Sequence, residues 1–95
     1  MATIEALVTL LIKKNQTEYL EKDVFGEINP VGRDEFVAAG QKGFKASMMV
    51  EVWGFEYENQ TEIKVDGKKM AIYRTYGPKS NGKVELYAGE RVGKG

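Results

Sequence analysis

Apolar residues along much of this chain recur at every second position, the period of a half-buried strand. From Thr3 to Lys14 the pattern fits two periods. Ile4, Leu7, Val8 and Leu11 match helix spacing, while Ile4, Ala6, Val8, Leu10 and Ile12 alternate as in a strand. The frequent Val, Ile and Thr favour the strand, and a polar turn follows at Asn15-Gln16. Glu18 to Ile28 reads as a second strand on Tyr19, Val24, Phe25 and Ile28, with a bulge or broad turn expected near Glu21-Lys22-Asp23. Pro30 cannot donate to a ladder, so that strand ends at or before it.

Arg33 to Ala39 is the helix candidate. Asn29 or Gly32 is placed to cap it, Asp34 and Glu35 put negative charge in its first turn, and Gly40 fits a left-handed stop. Phe36 and Ala39 share a face. A helix this short has to pack on the rest of the molecule to persist.

Phe44 to Glu58 is the longest strand candidate. Met48, Val50, Val52 and Gly54 form one alternating set; Met49, Trp53, Phe55 and Tyr57 form the other, interrupted by Glu51. Two apolar faces on one strand call for cover on both sides: a closed barrel, a covering helix or a subunit interface. Ile63 to Tyr73 is the clearest local signal. Asp66-Gly67 between alternating runs marks a two-residue hairpin, because both turn positions need positive φ. The downstream strand runs to about Tyr76 and is ended by Gly77-Pro78. Lys83 to Arg91 is the last strand, with Val84, Leu86 and Ala88 on one side, and Gly93-Lys94-Gly95 reads as a frayed tail.

The expected architecture is therefore a single domain over residues 1–95 and mainly β: a small antiparallel β-barrel or sandwich of five to six strands with one short α-helix at about 33–39. A chain of 95 residues buries only about 60–65% of its unfolded surface, so a partner subunit would add stability that the thin core lacks.

Composition narrows the chemistry. Cysteine and histidine are both absent, which removes disulfides, thiolate nucleophiles and the commonest general base and metal ligand. Ser47 and Ser80 are the serines, and neither lies in a nucleophile elbow. No phosphate-cradling glycine motif occurs. The expectation is a protein without catalytic activity, cofactor or metal. Met1-Ala2-Thr3-Ile4-Glu5 lacks the basic start of a signal peptide and no apolar run approaches a membrane span, so cytoplasmic synthesis is expected. On that ground the glycosylation patterns Asn15-Gln16-Thr17 and Asn59-Gln60-Thr61 read as coincidence. Fourteen basic and fourteen acidic residues give zero net charge, which neither attracts nucleic acid nor protects against self-association.

Three constellations remain. Trp53, Phe55, Tyr57, Tyr73, Tyr76 and Tyr87 fit either a stacking platform for single-stranded nucleic acid or, with better agreement with the charge balance, core and interface aromatics. Lys68 and Lys69 flank the hairpin tip near Lys64, where they either meet phosphates or keep a turn soluble. Glu51, Glu56, Glu58 and Glu62 read as a solvated stretch, except that Glu51 interrupts an apolar face and needs a partner, with Arg74 or Lys45 as candidates.

The order of features also carries a likeness. Phe25-Gly26-Glu27-Ile28 precedes Val31-Gly32-Arg33-Asp34-Glu35-Phe36; a short Ala-containing helix and a long strand follow, then the hairpin Val65-Asp66-Gly67-Lys68-Lys69-Met70-Ala71-Ile72-Tyr73 and a strand with Glu85-Leu86-Tyr87. Across nearly its whole length the chain resembles the small head-closure proteins of tailed bacteriophages of the siphophage type, also called head–tail adaptors, joining proteins or stoppers. The resemblance implies a small β-barrel with one short helix and a long loop. It implies a non-enzymatic ring in the virion neck, below the portal, that closes the DNA-filled head and joins it to the tail. The implied partners are further copies of the chain, a portal or adaptor protein, a tail or tail-completion protein, and packaged DNA in the channel.

A cyclic ring needs two different patches per subunit. Arg33, Asp34, Glu35, Phe36 and Phe44 are candidates for one, and Trp53, Phe55 and Tyr57 for the other; Lys68 and Lys69 are the candidate DNA-channel contacts. A tail-completion or terminator protein of the same virion, and a small barrel binding single-stranded nucleic acid, are the competing readings.

Overall fold

The computed structural model describes residues 4–92; Met1–Thr3 and the expected tail at Gly93–Gly95 lie outside the described residues. Six antiparallel strands form a closed barrel in the order β1-β2-β3-β6-β5-β4. The strands are β1 (Ile4–Lys13), β2 (Tyr19–Asn29), β3 (Phe44–Trp53), β4 (Glu62–Val65), β5 (Lys68–Tyr76) and β6 (Lys83–Arg91). One helix, α1 (Arg33–Gln41), joins β2 to β3, and a 3-10 turn at Gly54–Glu56 follows β3.

Strand alternation at the start of the chain is the observed one. Val8 and Leu10 point into the barrel, and Asn15 closes the hairpin, its Oδ1 accepting from the backbone N–H of Thr17 (2.9 Å) and Glu18 (3.0 Å). No bulge interrupts Glu21-Lys22-Asp23. These residues pair in unbroken register with Leu11, Leu10 and Thr9, because the polar residues at 21 and 23 take outward positions while Val24 continues the inward set. The hairpin joins the remainder by short ladders on both edges: Thr9–Leu11 with β4, and Glu27–Asn29 with β3.

The expected strand Phe44 to Glu58 is shorter than its pattern. It stops at Trp53, so β2, with 11 residues, is the longest strand. Gly54 leaves the ladder, its N–H donating to the Gly82 carbonyl at 2.8 Å, and the chain turns into the 3-10 segment. The hairpin at Asp66-Gly67 forms as the pattern requires, with φ of 52° and 80°.

The helix is longer than its pattern. It runs through Gly40 to Gln41, and the left-handed residue is Gly43 at φ 87°. Gly32 occupies the N-cap without a side-chain cap. Ala39 is buried against the barrel, but Phe36, expected on the same face, is 47% exposed.

The core consists of inward residues from all six strands, among them Leu10, Val50, Ile63 and Leu86, each fully buried, with Ile28, Met48, Tyr57 and Ile72 packed around them. Leu86→Ala is expected to cost about 2–5 kcal/mol, the range for emptying a packed leucine site. Urea titration of the purified variant measures it, and a loss under about 1 kcal/mol would contradict a rigid core at that position.

Candidate interaction surface

Because alternate residues face inward, register decides what the outside of the barrel displays. Glu5 lies opposite Glu27, Glu27 opposite Glu51, and Glu51 opposite Glu85. Four glutamates thus form one row across β1, β2, β3 and β6. Like charges directly opposite one another destabilise a sheet, and two lysines offset them here. Lys79 reaches back from the loop after β5 to pair with both Glu51 and Glu85, the latter at 2.9 Å. Lys83 stands 3.5 Å from Glu27. The close Glu51 carboxylate, then the hydrogen bond to Glu85, raise the Lys79 ammonium well above the ordinary lysine range. Burial pushes the Glu85 carboxyl up, but hydrogen bonds from Tyr87 and Lys79 outweigh it and hold it below the usual carboxylate range.

The partner of Glu51 is therefore Lys79, not Arg74 or Lys45. Arg74 is engaged elsewhere. Its guanidinium stacks over the Tyr87 ring at 3.9 Å and donates to Glu35 of α1 at 2.5 Å. Lys45 sits near the other end of β3, opposite Glu90. Tyr73 donates its hydroxyl to the same Glu35 carboxylate at 2.7 Å. The Arg74 hydrogen bond holds the Glu35 carboxyl below its ordinary range against an opposing effect of burial. Burial, then the Glu35 hydrogen bond, raises the Tyr73 phenol. Phe44 stacks on Tyr73 at 5.2 Å. Glu35 is thus the residue that pins α1 to β5, and Arg33, Phe36 and Val37 are left exposed on the helix.

Next to the acidic row runs an apolar one. Leu7 and Phe25 are cross-strand neighbours and both are exposed. Trp53 is 44% exposed and stacks with Phe55, which is 78% exposed. Lys83 lies over the Trp53 ring at 4.8 Å. Glu5, Phe25, Trp53, Phe55 and Glu56 line a shallow groove of about 480 Å³. A second concavity, of about 490 Å³, opens at one end of the barrel between Ile12, Leu20, Lys22 and Gln60. Among the described residues no His, Cys, Asp and Glu cluster is arranged to hold a metal ion, and no helix is long and apolar enough to cross a membrane.

The structure thus separates the candidate residues. Arg33, Asp34, Phe36, Trp53 and Phe55 lie at the surface. Glu35 is spent on holding α1, Phe44 stacks on Tyr73, and Tyr57 packs against the core with its hydroxyl donating to the Gln60 carbonyl at 2.9 Å. Lys68 pairs with Glu90 at 2.7 Å; Lys69 pairs with Glu62 and lies over the Tyr19 ring. Both lysines stay about half exposed beside these carboxylates. Leu7 and Phe25 escaped the sequence reading as surface residues, although outward alternation opposite the set of Val8 and Val24 was a signal for both. No family model matches this chain, and no curated protein matches it.

Two outcomes are expected. Trp53→Ala leaves a folded monomer, with circular dichroism unchanged and a stability loss of about 1 kcal/mol rather than the roughly 3–5 kcal/mol of a core tryptophan. Glu35→Ala weakens the protein by about 1–2 kcal/mol at neutral pH, the lower part of the range for hydrogen bonds to charged groups, since the Arg74 side chain is 37% exposed. Because the folded carboxyl binds its proton less tightly than the unfolded one, this contribution is complete above the ordinary carboxylate range and is lost as pH falls through the depressed value. Urea titrations at neutral and strongly acidic pH should therefore show the difference between parent and variant shrinking in acid.

Proposed function

We propose that this protein is a structural component of the neck of a tailed-phage virion, forming a ring below the portal that closes the DNA-filled head and joins it to the tail. The observation that carries this reading is the pair of separate apolar surfaces left exposed by the barrel. One is the outer side of α1 at Phe36 and Val37; the other is the row Leu7, Phe25, Trp53 and Phe55. Two unlike patches on one small subunit are what a head-to-tail cyclic assembly requires. The observed barrel with one helix also agrees with the fold that the likeness to head-closure proteins implies. In this role the chain has no catalytic duty. Its partners are its own copies, the portal or adaptor above, and the tail or tail-completion protein below, with the packaged DNA passing through the channel.

The row of glutamates beside the aromatics weighs against the nucleic-acid reading. Stacking platforms for single strands work with cationic grooves, and Glu5 and Glu56 line this one.

Deletion of the coding sequence from the phage that carries it, followed by electron microscopy of the lysate, tests the role. The expected result is DNA-emptied heads beside complete free tails. Defective tails with filled, closed heads would indicate a tail-completion protein instead, and normal infectious particles would overturn the neck role.

A further inference from the structure

We infer that the exposed face of α1 in one copy docks on the Leu7–Phe25–Trp53–Phe55 row of the next copy, with Arg33 set against Glu5 and Glu56. This rests on the ring reading and deepens it, by naming the partner of each patch. The two surfaces complement one another in charge. Among the described residues, Arg33 on the helix has no ion pair, and neither do Glu5 and Glu56 at the border of the groove. Docking brings these opposite charges together at the rim of an apolar contact, where they set orientation more than affinity.

They also complement one another in shape class. Arg33, Phe36, Val37 and Gly40 fall on one side of the helix by their three- and four-residue spacing. Gly40 has open space where a side chain would be, so the helix backbone can come close. The opposing surface is a shallow groove lined by Phe25, Trp53 and Phe55. An amphipathic helix laid into an apolar groove is a recurring mode of recognition. The helix cannot cover the groove of its own chain. Glu35 ties it to Tyr73 and Arg74 of β5, and it leads into Phe44, the first residue of β3, whereas Trp53 is the last. The nine residue steps from one to the other along β3 span roughly 30 Å. The contact is therefore between copies and heterologous, leaving each bound pair with a free helix at one end and a free groove at the other.

Because the chain has no cysteine, engineered thiols report the contact directly. Gln41→Cys and Asp23→Cys place one exposed thiol at the rim of each patch and leave the charged and apolar residues of the proposed contact intact. With a short bis-maleimide at high protein concentration, the double variant should give a ladder that continues beyond dimer. A mixture of the two single variants should stop at dimer, and neither single variant alone should cross-link. Arg33→Glu should suppress the ladder, and adding Glu5→Arg to it should restore it. No ladder from the double variant, or dimers from either single variant alone, overturns the proposed contact. Such a failure is distinct from failure of the neck role, which is read from particles rather than from purified chains.

Discussion

Closure of the barrel is the constraint on which the other features rest. Three residue pairs between β1 and β4 complete the ring of strands, and three between β2 and β3 hold the opposite edge of the same hairpin. Once closed, the barrel takes alternate residues inward to fill it. The remaining residues have to face out, and a chain of this length has one short helix with which to cover them. Apolar residues that alternate out of phase with the core are therefore left on the surface by geometry. Leu7, Phe25 and Trp53 are in that position.

Closure also sets the electrostatics. The four glutamates at 5, 27, 51 and 85 lie far apart in the chain, and only continuous register across four strands brings them into one row. Such a row would oppose folding if left alone. The loop after β5 answers it with Lys79, which lies between Glu51 and Glu85, and β6 answers it with Lys83 beside Glu27. From Lys79 a chain of polar contacts crosses the sheet through Glu85, Tyr87 and Arg74 to Glu35. The network that tolerates the acidic row thus continues into the one that anchors α1. One edge of the row, at Glu5, is left without a cation among the described residues, and it adjoins the exposed aromatics.

Local physics was enough for the clearest turn and for the alternation of most strands. Asp66-Gly67 needs positive φ wherever it occurs between alternating runs, so the β4–β5 hairpin was legible from residues alone. The alternation of Val84, Leu86 and Ala88 named the inner side of β6, and the absence of cysteine and histidine bounded the chemistry. Tertiary structure decided the rest. Glu35 turns inward because Arg74 and Tyr73 await it on β5, and Phe36 is displaced to the surface as a result. Trp53 and Tyr57 belong to one alternating set in sequence but part company where Gly54 leaves the ladder, one to the surface and one to the core. Glu51 finds Lys79 rather than a nearer candidate because pairing depends on which strands become neighbours. Period and turn chemistry act within a few residues, so the sequence by itself determined the kind and order of the elements and the inner faces of most strands, but not where β3 stops, that β2 runs without a bulge, or which side of α1 faces in. Which side chains meet across strands depends on register and closure, and those exist only in the folded barrel.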